Sequence, residues 1–186
     1  MLVQRIPIFQ RDQHVSIDDM RAQSTRLDLS KLPDNVRFIA TETLLRRIFR
    51  KLRLEGPIPV QATDRERFRL FVIIDEAKIL SLGGGERDRA DGILNELMTE
   101  ARKFGLGMII ASQMSDHFSE DVRANAATWL VLKPMELKEA RKNAANVSVD
   151  GEDLMRLAGR GDGFYRDKAT GRGRRIQVLP VSPPKP

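Results

Sequence analysis

The 186-residue chain contains no cysteine. That absence excludes disulfide frameworks and thiolate metal sites, and it is compatible with a reducing compartment. The two histidines, His14 and His117, stand apart with no ligand spacing around them, so no histidine-based metal site is assigned. One Trp and one Tyr leave too few aromatics for a base-stacking platform. No apolar run approaches the roughly 20 residues needed to span a bilayer. The apolar part of Met1–Gln10 is too short for a signal peptide. A cytoplasmic protein without membrane contact is expected.

What is present is an ordinary globular balance, 41% hydrophobic and 31% charged, long enough for one domain with a sizeable core. The net charge of +6 favours polyanionic partners, because neutralising phosphates releases condensed counterions. With so few aromatics, any nucleic acid would be held mainly through its backbone phosphates.

No internal repeat is visible. Met1–Arg21 is mixed and poorly periodic, Arg26–Leu29 reads as a short strand, and Asp34 as a helix cap. Val36–Leu54 is an amphipathic helix whose Leu45, Ile48, Phe49 and Leu52 recur at i, i+3, i+4, i+7. Leu70–Ile74 is an uninterrupted apolar run, the pattern of a central parallel strand buried on both faces. A Gly83-Gly84-Gly85 loop, a helix over Arg89–Phe104 and strands at Met108–Ala111 and Thr128–Leu132 follow. Met135–Asn146 and Gly151–Leu157 read as helices, Gly163–Arg166 and Arg175–Leu179 as a closing hairpin, and Val181–Pro186 as a proline-rich tail. Strands alternating with helices predict an α/β sheet, mostly parallel and flanked by helices. The expected domains are an N-terminal extension over 1–23, a core over 24–180 and a tail over 181–186.

Ligands of such sheets gather at the carboxyl ends of strands. Three positions there carry polar chemistry: Asp75-Glu76, Ser112-Gln113 and Lys133. An apolar strand ending in two acids can hold a magnesium ion with the first and orient or deprotonate an attacking water with the second. A surface turn with two solvated carboxylates is the plain alternative. Gln113 ends the next apolar strand, where an amide can hydrogen-bond that water or a terminal phosphate, or merely cap local backbone.

FVIIDEA at Phe71–Ala77, followed by EARKFGLGMIIASQ at Glu100–Gln113, resembles the HerA-like branch of the HerA/FtsK ATPases. Asp34–Phe49, Asn125–Leu132 and GDGFYR at Gly161–Arg166 look like that family too, so the resemblance covers roughly Leu27 to Val178. It implies the C-terminal half of a partial RecA-like P-loop NTPase core with a C-terminal β-hairpin. The implied cofactors are ATP and Mg2+. The implied partners are double-stranded DNA, a homo-hexamer or an assembly with a Walker A-bearing subunit, and a NurA-like nuclease. Asp75 would match the Walker B acid that holds magnesium through water, Glu76 the catalytic glutamate, Gln113 the sensor and Arg102 an arginine finger acting on a neighbour's nucleotide. Arg123 is a second candidate for that trans-acting charge. Lys78 stands where a His is common in this branch, and Met114 where an Arg often follows the Gln. No GxxxxGK[ST] occurs, so the loop that cradles β- and γ-phosphates is expected upstream of Met1 or on another chain.

Two basic clusters stand apart from these motifs. Arg37, Arg46, Arg47, Arg50, Lys51 and Arg53 lie on the first long helix, and seven basic residues lie between Arg156 and Arg175. Either could line a DNA channel, although a solvated helix face explains the first as simply. Two functions therefore stand side by side. One is an ATP-dependent DNA translocase or helicase half, an ATPase once completed by a Walker A segment. The other is a non-catalytic module docking on a complete ATPase ring or on DNA.

Overall fold

A computed structural model describes residues 16–63, 66–81 and 87–179. The expected tail, the triple-glycine loop and residues 1–15 of the N-terminal stretch lie outside those residues. The chain divides into two compact units. The first is Met1–Ile74 with Glu100–Ile109, the second Asp75–Thr99 with Ile110–Pro186.

The first described element is α1 (Ile17–Ala22), a helix within the poorly periodic N-terminal stretch. Ser16 and Asp19 close a reciprocal capping box around its first turn, satisfying two otherwise orphaned backbone donors. Residues 24–29 are irregular rather than a strand. The long helix α2 (Asp34–Leu54) starts after Pro33, so Asp34 lies in the first turn instead of capping it. Its predicted apolar face is buried: Leu45, Ile48, Phe49 and Leu52 are between 0 and 6% exposed. The ring of Phe49 meets Phe104 edge to face at 5.8 Å. Much of the basic side is neutralised locally. Arg46 pairs with Glu42, Arg37 with Asp34, and Lys51 with Asp18 on α1.

In the same unit β1 (Leu70–Ile74) and β2 (Leu106–Ile110) form a two-stranded parallel sheet. The Gly105 carbonyl accepts from the backbone N–H groups of Arg69 and Leu70 at 2.7 and 3.2 Å. Gly105 adopts φ +80° to turn the chain into β2, a conformation in which an L side chain is strained, and a Cβ there would lie 3.1 Å from the Arg69 backbone nitrogen. Expected burial of β1 on both faces is not met. Ile74 is buried, but Phe71 and Ile73 are 55 and 70% exposed. A Cβ on Gly107 would enter the Phe71 ring at 2.3 Å, which puts Gly107, and hence Ile109 two residues on, on that same exposed face. An apolar run reports that a strand is suited to burial; it does not supply the element that covers it.

The second unit holds the 3-10 turn Ala77–Ser81 and the helix α3 (Arg87–Glu100). The predicted helix to Phe104 ends earlier, because Ala101–Phe104 tightens into a separate 3-10 turn. Next come α4 (Glu120–Asn125), β3 (Thr128–Leu132), α5 (Leu137–Val147), α6 (Gly151–Met155), β4 (Asp162–Asp167) and β5 (Arg174–Gln177). The strands pair in the order β3-β4-β5, both pairs antiparallel, with Val131 opposite Phe164 and Gly163 opposite Ile176. One core binds α5 and α6 to this sheet through Val131, Ala140, Ala144, Val147, Leu154 and Leu157. Together the two units give the α/β class expected from the sequence, with a parallel pair and a C-terminal hairpin. Among the described residues no helix is long and apolar enough to cross a membrane.

Candidate functional site at the strand ends

The acids follow β1 immediately. Asp75 and Glu76 are exposed, and the next residue, Ala77, is completely buried. The Ala77 N–H donates to the Ala111 carbonyl at 2.9 Å. Ala111 directly precedes Ser112 and Gln113, so one backbone hydrogen bond fastens the acid turn to the segment carrying the amide. Glu76 has φ +58°, the left-handed region that a non-glycine residue rarely occupies. Such backbone strain concentrates at functional positions, where the surrounding structure holds a side chain in a set direction.

Neither Asp75 nor Glu76 forms an ion pair among the described residues, and the Gln113 side chain has no hydrogen-bond partner there. Ser112 does have partners. Its Oγ lies 2.6 Å from His117 Nδ1 and 3.0 Å from the Met114 carbonyl. The single hydroxyl proton serves one of these acceptors at a time. His117 sits in the short 3-10 turn Ser115–His117 and closes the loop after Gln113. No ligand spacing surrounds this histidine; its partner is a serine five residues back, a pattern with no helix or metal signature. The contact spans the loop between Ser112 and His117.

Arg102 belongs to the other unit. It is exposed on the Ala101–Phe104 turn, which is fixed by buried Ala101 and by the packing of Phe104 on Phe49. Arg102 makes no ion pair among the described residues. Lys133, the third strand-end position, is exposed, and its N–H donates to the Asp162 carbonyl at 3.1 Å. Arg123 is half-buried on α4, with its Nε buried and unpartnered. Among the described residues there is no group of three or more acidic, His or Cys side chains able to hold a metal.

The Asp75-Glu76 pair suits a hard cation held partly through water, since two carboxylates cannot by themselves complete an oxygen shell. What the arrangement lacks is a phosphate grip, because the sequence contains no glycine loop ending in Lys-Ser/Thr.

No established family profile matches the chain. Over 98 residues it is 30% identical to the DNA double-strand break repair helicase HerA of Pyrococcus furiosus, a stretch that is 51% of this chain and 18% of the relative. The chain thus spans about a fifth of that relative's length. The fold is similar to the genome packaging NTPase B204 from Sulfolobus turreted icosahedral virus 2 in complex with ATP-gammaS. The TM-score is 0.58 at 16% identity, covering 89% of this chain and 73% of that one. The DNA-packaging ATPase B204 from Sulfolobus turreted icosahedral virus aligns with a TM-score of 0.61 at 15% identity, over 89% and 72% of the two chains. The sequence is thus similar to HerA over about half of this chain, and the fold is similar to that of the B204 ATPases.

Proposed function

We propose that this chain is the hydrolytic, C-terminal half of an ATP-dependent DNA translocase or helicase of the HerA-like type. The observation that carries the reading is the bond from Ala77 N–H to the Ala111 carbonyl, which joins the strained acid turn to the Gln113 segment. The HerA relative is named a DNA double-strand break repair helicase, and the B204 neighbours a genome packaging NTPase in complex with ATP-gammaS and a DNA-packaging ATPase. Those names support ATP as the nucleotide and duplex DNA as the partner.

In this reading Asp75 is the position for a magnesium ion, held through water. The bound ion would neutralise phosphate charge. Glu76, aimed by its left-handed backbone, takes the proton of the attacking water or orients that water. Gln113, with its amide unengaged among the described residues, hydrogen-bonds the same water or the terminal phosphate. Arg102 acts across a subunit boundary on a neighbour's nucleotide, where a guanidinium stabilises the transferring phosphoryl group. That role calls for an oligomeric ring, a hexamer in the HerA-like pattern, with a NurA-like nuclease as a further partner. Another segment supplies the phosphate-gripping loop. The exposed Phe71, Ile73 and Ile109 face gives such a segment an apolar surface to cover.

The test is reconstitution. Alone, the chain hydrolyses little ATP. Mixed with a Walker A-bearing polypeptide of this type, it restores turnover that Glu76→Gln lowers by about two to three orders of magnitude. Strong hydrolysis by the isolated chain would overturn the proposal.

The missing loop and the basic clusters favour a second reading, a non-catalytic module docked on a complete ATPase ring or on DNA. It predicts co-purification with a complete ATPase, unchanged by Asp75→Ala, and no turnover that depends on Glu76.

A further inference from the structure

The second unit contains a cavity of about 380 Å³ remote in sequence from the acid turn, walled by α4, the start of β3, α5 and β4. Four of its lining side chains are cations, Arg123, Lys142, Arg166 and Lys168, against one acid, Glu120. Lys142 is engaged by Asp116 and lies 3.7 Å from Glu139. Arg123 lies in the field of Asp116, but none of the other three forms an ion pair among the described residues. Lys168 Nζ donates to the Ala124 carbonyl at 3.1 Å, near the end of α4. Arg166 Nη1 donates to the Asn146 carbonyl at 3.0 Å, near the end of α5. These backbone carbonyls steady the two side chains without cancelling their charge.

The cavity also leaves donors unused. Arg123 Nε, Arg166 Nε and Asn146 Nδ2 are each buried and without a partner. All three are N–H groups, they come from three different elements, and all belong to cavity-lining residues. A buried donor without a partner is costly, and here the shortfall is entirely on the donor side. What such a site lacks is a ligand made of acceptors and carrying negative charge. Guanidinium forks match phosphoryl oxygens in geometry as well as charge.

We infer that this cavity is a phosphoryl-anion site whose lining includes none of Asp75, Glu76 and Gln113, and that Arg123 serves this cavity instead of a neighbour's nucleotide. A phosphoryl group meets it better than a lone carboxylate. It brings more acceptor oxygens and more charge to three cations that form no ion pair among the described residues. The source of the phosphoryl group is either a free phosphate compound or the backbone of a nucleic acid.

Trp129 lines the cavity and is the chain's single tryptophan, so its fluorescence reports occupancy. The full chain is titrated at constant ionic strength with inorganic pyrophosphate and, separately, with a short duplex DNA. A saturable change is expected with at least one probe. Saturation by pyrophosphate assigns a free phosphate; saturation by duplex alone assigns a backbone phosphate. Arg123→Gln should weaken the saturating probe by about tenfold, the scale of a lost charge-assisted hydrogen bond. Because that variant could also disturb α4, Glu120→Gln provides the opposite sign. Removing the one lining acid should tighten binding about two- to threefold, as expected for a like charge at a partly solvated site. Loss of structure cannot produce such a gain. The inference fails if neither probe saturates, or if both variants bind as the parent does.

Discussion

At the scale of the residue, Glu76 holds the account together. Its φ of +58° is a conformation that costs an L-residue about 1–2 kcal/mol, and a glycine there would not pay it. Glu76→Gly should therefore leave the fold intact and change stability by between about 0 and +1 kcal/mol in urea unfolding, while abolishing restored turnover. A clear destabilisation would mean that the side chain serves structure instead of chemistry. That Asp75 and Glu76 stand at the end of one strand and Gln113 shortly beyond the next was readable from sequence, because the apolar runs mark both strands. The left-handed turn at Glu76 and the Ser112–His117 contact were not. Each depends on a partner segment, Ala111 in one case and the loop beyond Met114 in the other, that local patterning does not reveal.

Individual elements repeat the lesson in their own terms. The inner face of α2 was legible because four large apolar residues at helical spacing leave one way to fold. Leu52, with no exposed surface, tests that packing: Leu52→Ala should cost about 2–5 kcal/mol in equilibrium unfolding. By contrast α1 has no legible sequence signal, because it spans six residues, less than two turns, and its capping acid is Asp instead of the usual Glu or Gln. For β1, period and composition announced a strand but could not say which face lacks a cover.

The β4-β5 hairpin adds a pH dependence. Asp162 accepts hydrogen bonds from the Gly159 N–H and from the Arg175 guanidinium, in that order of effect, and these hold its carboxyl below the usual carboxylate range. A depressed folded-state pKa contributes stability that is complete above the ordinary aspartate value of about 3.9 and is lost as pH falls through the folded value. Asp162→Asn should accordingly flatten the fall in stability below about pH 4 and leave the shape of the curve above pH 5 unchanged. An unaltered acid limb in chemical denaturation at stepped pH would show that the carboxylate contributes nothing there.

For the molecule as a whole, the α/β class and the order of strands were legible, since alternating apolar runs and helices leave few alternatives. The pairing pattern was less so. β3, β4 and β5 form their own antiparallel sheet, set by long-range register that no local period encodes. Function at this scale is a matter of completeness. The chain carries acids, an amide and a candidate finger, Arg102, but no phosphate-gripping loop.

The central claim is that Glu76 drives cleavage while another segment grips the phosphates. It is tested most directly by the nucleotide retained in the reconstituted assembly. The chain is mixed with a Walker A-bearing partner and ATP, excess nucleotide is removed, and the bound ATP and ADP are quantified after quenching. The parent chain should yield mainly ADP, and Glu76→Gln should hold unsplit ATP at similar occupancy. ADP recovered from Glu76→Gln at the parent's rate, or equal hydrolysis by the partner without this chain, would contradict the account.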